Sequence, residues 1–233
     1  MTRHWKKIVV AVLALVFLVF AASFIYAKVI NKADDEFDSG DVKDRLTTTT
    51  GATVDNVTTE GIDGDWVIAD GSEVGYRVDE SINGFDTTAN GRTKEITGQF
   101  TIEGAQVTAG EFAVDMTTLK SDEGRRDSAF NGRIMKVSTF PTATLVLTEP
   151  IDFGEVPTDG TTIPATATGD LTLHGVTLSV TFDVEATFES GRVGVLGQIP
   201  IVFADYDIPN PSNGTIRADD HGLLEFVLIF DRA

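Results

Sequence analysis

Cysteine is absent from the 233 residues, which excludes disulfides, thiolate metal sites and a cysteine nucleophile. Histidine is scarce. His4, His174 and His221 lie too far apart in sequence to form a local ligand pair, so no metal and no cofactor is expected. Basic residues are few, 18 Lys and Arg against 36 Asp and Glu. Four of them, Arg3, Lys6, Lys7 and Lys28, fall in the first 28 residues, which hold no acid, so the remainder carries −22 of an overall −18. An acidic body without a basic stripe repels phosphate backbones, and nucleic acid is not expected as a partner. Catalytic signatures are also missing: there is no G-x-S-x-G, H-E-x-x-H, P-loop or dinucleotide fingerprint. The best local candidate cluster, Asp219-Asp220-His221, reads as a loop before the last strand. No catalytic residue is assigned, and the expectation is a protein that is not an enzyme.

What the chain does have begins with "IVVAVLALVFLVFAASFIYA", residues 8–27, whose only polar side chains are those of Ser23 and Tyr26. About 20 helical residues cover a hydrocarbon core of roughly 30 Å. Bulky Phe24, Ile25 and Tyr26 spoil a small-x-small cleavage register, which favours an uncleaved signal anchor over a secretory signal. Cations precede the span and Asp34, Asp35, Glu36 and Asp38 follow it, so the body is expected outside the cytoplasm. The expected organisation is a cytoplasmic basic N-terminus (1–7), a transmembrane anchor (8–30), an acidic, Thr-rich flexible linker (31–64) and a β domain (65–233). Signal cleavage and secretion is the alternative. Asp63-Gly64-Asp65 lacks the further ligand spacing of a calcium loop.

From Trp66 onward, period-2 apolar runs recur between Gly, Asn, Asp and Pro, giving about eight strands and one short helix near residues 124–133. The last run, "LLEFVLIFD" from Leu223, is apolar on both phases and is expected to be covered on both faces. In "DLTLHGVTLSV", the apolar parity flips at His174-Gly175. A two-residue hairpin loop repairs it by pairing Leu173 with Val176, Thr172 with Thr177 and Leu171 with Leu178. His174 is therefore expected at a turn, not in catalysis. The alternation fits a closed barrel or a sandwich equally well.

The block "GDLTLHGVTLSVTFDV" resembles the G-x-L-T-x-H-G-V-T-x-x-V block of the YceI-like proteins. "RRDSAFNGRIMKVSTFPTATLVL", "GDWVIADGSEVGYRVDE" and "ITGQFTIEG" agree with the same family in order, so the resemblance covers about residues 64–232. It implies an all-β, lipocalin-like antiparallel barrel whose apolar interior holds a polyisoprenoid, an isoprenoid quinone or polyprenyl phosphate, without catalytic residues. Where many members carry histidines in the opening strands, this chain has Gly71-Ser72-Glu73-Val74-Gly75-Tyr76 and Asp79-Glu80, so a head-group role for histidine there is not carried over.

Together these readings describe a membrane-anchored, extracytoplasmic lipid-binding protein serving carriage, storage or stress protection, with an isoprenoid lipid and the cell membrane as its partners. From the alternation, the cavity lining is expected from Trp66, Tyr76, Phe100, Phe112, Met116, Leu145, Phe182, Phe188 and Phe203. Arg77, Arg125, Arg126 and Arg133 are the head-group candidates, because guanidinium can fork onto phosphate or donate to a quinone oxygen. The alternatives are a ligand-free envelope interaction module with a solid core and, more weakly, a carboxylate-dependent hydrolase.

Overall fold

The computed structural model describes residues 2–30, 33–48, 62–154, 158 and 160–233. Helix α1 (Thr2–Ile25) continues into a π-helical turn, Tyr26–Ile30, and α2 (Ser39–Thr48) follows. Then come β1 (Gly64–Ile68), β2 (Glu73–Ile82), β3 (Phe85–Thr93), β4 (Ile96–Glu103) and β5 (Gln106–Asp115). Helix α3 (Gly124–Ala129), with a second π-helical turn at Phe130–Ile134, separates them from β6 (Thr142–Leu147), β7 (Ile151–Asp152) and β8 (Thr161–Leu173). The chain ends with β9 (Val176–Glu189), β10 (Arg192–Val202), β11 (Ile216–Ala218) and β12 (His221–Arg232).

Eight of these strands close on themselves in the order β1-β4-β5-β6-β8-β9-β10-β12, and β12 pairs back onto β1, every pairing antiparallel. The barrel expected from the family resemblance is therefore the one found. Closure removes unpaired edges, and inward side chains alternate with outward ones along each strand. One edge of β12 is shared: Phe230 to Arg232 pair with β1, and Leu223 to Val227 pair with β2. The β2–β3 hairpin carries this wall beyond the barrel end, and β11 pairs with its outer part.

The hairpin between β8 and β9 runs in the register expected from the parity flip, from Leu173↔Val176 outward through Thr161↔Phe188. Both loop residues are left-handed, His174 at φ 52° and Gly175 at φ 83°. His174 also does more than turn the chain. Its ring is buried, its Nδ1 lies 3.1 Å from the Tyr206 carbonyl oxygen, and it meets Phe140 edge-on. A Cβ on Gly175 would stand 2.5 Å from the Phe140 ring. Gly175→Ala is therefore expected to cost about 2 kcal/mol by chemical denaturation, from a left-handed non-glycine residue and a ring that must move. His174→Asn, which tolerates the same φ but gives up the buried ring, should cost about 1 kcal/mol and keep the fold. Equal losses for the two variants would refute the turn assignment.

Part of the expected linker is folded. Residues 49–61 of it lie outside the described residues, but Phe37, Val42 and Leu46 are buried on the outer wall against Val227 and Ile229 of β12. Asp38 caps α2: its Oδ1 accepts from the Gly40 and Asp41 amides at 2.7 and 3.1 Å, while Asp41 Oδ2 accepts from the Asp38 amide at 2.9 Å. This reciprocal pair satisfies amides that the first turn leaves open. Gly194 of β10 lets the helix lie close, since a Cβ there would meet Val42 at 2.4 Å. A low average hydrophobicity over 34 residues concealed three apolar side chains on one face. They are the outer cover that a both-phase apolar β12 requires, and the strand's expected burial on both faces is met.

Candidate functional site

Among the described residues, cavities of about 130 Å³ and about 430 Å³ lie inside the barrel. Val74, Val114, Ala143 and Leu224 line both, so the chambers meet at a waist made by β2, β5, β6 and β12. The smaller chamber fills the end where β4, β5 and β7 meet, among Ile102, Val107 and Ile151, and among the described residues its only polar side chains are Thr144 and Thr187. The larger one lies toward the β2–β3 hairpin and is roofed by Phe130, Ile134 and Met135 on the helical stretch after β5. A cavity lined by inward alternate residues of a closed barrel is an apolar solvent of fixed shape, and 430 Å³ falls in the range of small-molecule sites, about 300–1,000 Å³.

The expected lining residues divide between the chambers. Phe100, Phe112, Leu145, Phe182 and Phe188 line the smaller; Tyr76, Met116 and Phe203 line the larger. Trp66 lines neither. Its indole is buried between Phe100 and Phe188 at 6.4 and 6.2 Å between ring centres, and its Nε1 donates to the Ile62 carbonyl at 3.0 Å. Tyr76 lies parallel on Phe130, 4.9 Å apart, and burial pushes its hydroxyl well above the usual phenol range. It faces the chamber as a neutral hydroxyl able to donate.

The rim of the larger chamber is where charge gathers. Arg125, Arg126 and Arg133 line it with Glu80 and Glu123. Arg126 is held by Asp122 and, at 3.7 Å, by Glu80. Arg133 donates to the Pro211 carbonyl at 2.7 Å. Arg77, the fourth candidate, is not at the rim. It points to the outer face of β2, where its Nε donates to Glu225 Oε2 at 3.4 Å and its Nη2 to the Asp34 carbonyl at 2.7 Å. Strand alternation is the reason, because Arg77 and its neighbour Tyr76 must face opposite sides.

Sequence reasoning missed Tyr26, which lines the larger chamber from the end of the apolar helix, and the lining role of Phe130, Ile134 and Met135, although it expected a short helix near 124–133. None of these residues lies on an alternating strand, so no period marked them. His221, in the polar cluster set aside above, lines neither chamber, although the next residue, Gly222, lines the larger one; its side chain is exposed. Its Nδ1 is 2.9 Å from Asp220 Oδ1, and that hydrogen bond raises the imidazole pKa while lowering that of the carboxylate. The ion pair is favoured on folding, so this small contribution is full between the ordinary carboxylate and imidazole ranges, fades as pH rises through the folded-state imidazole pKa, and is lost as pH falls through the folded-state carboxylate pKa. An NMR titration should place His221 above the ordinary histidine value and Asp220→Asn should bring it back; no change on substitution would refute the pairing.

The sequence profile of the YceI-like domain matches residues 66–230. The chain belongs to the YceI-like family. Among YceI-like relatives, a UPF0312 protein of Vibrio parahaemolyticus is 30% identical over 128 residues, 51% of this chain and 64% of that protein. One from Pseudomonas fluorescens is 32% identical over 143 residues, 56% of this chain and 70% of the relative. This chain thus spans slightly less than two thirds of the Vibrio protein. Two solved structures share the fold. A polyisoprenoid-binding domain from Saccharophagus degradans, implicated in plant cell wall breakdown, superimposes with a TM-score of 0.59 at 17% identity, covering 73% of this chain and 99% of that one. BcnA from Burkholderia cenocepacia gives 0.53 at 20% identity, covering 68% and 95%.

Proposed function

We propose that this YceI-like protein is a membrane-anchored, extracytoplasmic carrier that holds a polyisoprenoid, an isoprenoid quinone or polyprenyl phosphate, in the barrel. The observation that carries the reading is the two-chambered apolar interior, which opens at a rim bearing three arginines. A long hydrocarbon chain filling both chambers leaves water at about 25 cal/mol per Å² of apolar surface buried. Its polar end then lies among Arg125, Arg126, Arg133 and the Tyr76 hydroxyl, groups that donate to a phosphate or a quinone oxygen. A barrel with a solid core, as a ligand-free interaction module needs, does not fit these cavities. The helix over Lys7–Val29, long and apolar enough to cross a bilayer, supports the anchor.

Native mass spectrometry of the full chain released from detergent micelles, followed by lipid extraction, tests the reading. A bound isoprenoid is expected. Its absence, together with no uptake when isoprenoids are offered, overturns the carrier. N-terminal sequencing of the mature protein distinguishes an intact anchor, which is expected, from a cleaved signal.

A further inference from the structure

The anchor and the barrel touch. Asn83 Nδ2, at the tip of the β2–β3 hairpin, donates to Ser23 Oγ at 2.8 Å, and the Phe85 ring packs edge-on against Phe24 and Phe20 at 5.5 and 6.3 Å. Lys28 Nζ donates to the Asp86 carbonyl at 2.5 Å. Ala27 is buried and Tyr26 lines the larger chamber.

These contacts fix a depth. At 1.5 Å per residue, Phe20 lies about 13 Å below the end of the apolar helix at Val29. A helix of 23 residues is about 35 Å long, slightly more than the hydrocarbon core of roughly 30 Å. With that excess shared between the two ends, Phe24 lies about 5 Å and Phe20 about 11 Å inside the hydrocarbon edge, so a hairpin tip whose Phe85 ring reaches both passes the headgroups and enters the outer acyl chains.

A second connection limits tilting. From Ala33 onward the chain is strapped to the barrel's outer wall: Asp34 and Asp35 carbonyls accept from Arg77 and Arg92 at 2.7 and 2.5 Å, and Phe37 lies under the Arg92 guanidinium at 3.8 Å. Three peptide steps separate Ile30 from Ala33, a reach of at most about 11 Å. Two attachments this close hold a barrel in one orientation, where a single flexible tether holds none.

We propose that the barrel sits mouth-down on the bilayer, with the β2–β3 hairpin tip reaching through the headgroups into the outer acyl chains and Tyr26 of the anchor forming one side of the portal to the larger chamber. The partner of this surface is the bilayer itself. A membrane lipid then enters the barrel by sliding along the anchor, without crossing water, and the rim arginines Arg125 and Arg133 face the headgroups. The inference rests on the anchor proposed above and goes beyond it in fixing orientation and route.

The absence of cysteine makes the test direct, since any introduced cysteine labels one site. Full-length Leu15→Cys, Asp86→Cys and Glu103→Cys variants, each carrying a bimane probe, are reconstituted in phosphatidylcholine vesicles with or without lipid brominated high on the acyl chain. These sites report the mid-anchor, the hairpin and the far end of the barrel. The expected result is loss of emission at positions 15 and 86 and none at 103. Quenching at 15 alone overturns the docked orientation and leaves the anchor intact. Quenching at 103 overturns the orientation by showing the barrel lying over or inverted. No quenching at 15 overturns the anchor and the docking with it, whereas the carrier reading stands or falls separately on the lipid extraction.

Discussion

Ala143→Phe is expected to leave a folded barrel that no longer accepts a full-length lipid. Ala143 lies on β6, is buried, and lines both chambers at their waist. A ring at that point closes the passage between them, and overpacking of this kind costs about 1–3 kcal/mol, which an ordinary domain survives. If one chain threads both chambers, native mass spectrometry should show bound lipid lost or replaced by a shorter species. Val146→Phe adds the same ring on the same strand, at a position 46% exposed on the outer wall, and should leave the bound lipid unchanged. Retention of the same lipid by Ala143→Phe would show that the smaller chamber plays no part in binding.

Glu225→Gln should have the largest effect on stability. This carboxylate is fully buried on the outer side of β12, beneath the strap, with Arg92 Nη2 at 2.9 Å and Arg77 Nε at 3.4 Å. Removing its charge leaves two guanidinium groups under cover with no anion between them, and breaking a buried pair this way costs about 3–5 kcal/mol. Both arginine side chains retain some exposure, 14% and 15%, so the lower end applies, about 3 kcal/mol. A chain of this size should then melt roughly 6–12 °C lower. Because Arg92 stacks on Phe37, hydrogen exchange should also rise in α2, while lipid content stays the same since Glu225 faces away from the chambers. An unchanged melting temperature would mean that the cluster is solvated and the strap loose.

Particular residues show what could be read in the sequence. The flip from Leu171 and Leu173 to Val176 and Leu178 specified a hairpin register, because side-chain period 2 leaves one pairing that keeps like with like. The both-phase apolarity of β12 announced its burial, and the family block announced the closed barrel. Strand β3 was not legible: "FDTTANGRT" is polar, because one side of the β2–β3 hairpin faces the rim and the other lies under contacts from the strap and α1. Helix α2 was lost among its acidic neighbours. The lining aromatics followed from alternation, yet Trp66 and Arg77 show its limit. Parity gives the side of a wall, not whether a side chain meets a cavity, another ring or a strap. Tyr26 lay beyond reach for a different reason, since nothing in an apolar run tells which of its residues will meet a distant barrel.

If the chain is anchored as proposed, the cover that α2 lays over Val227 and Ile229 also governs how the barrel could be shed from the membrane. A protease cutting between residues 28 and 33 would release a soluble barrel still wearing its own lid of Phe37, Val42 and Leu46. A cut within 49–61 would leave that lid with the membrane stub, held only by noncovalent contacts, and its departure would bare a greasy stripe that favours self-association. The position of the nick, rather than its occurrence, would decide whether the cell gains a diffusible carrier or an aggregate.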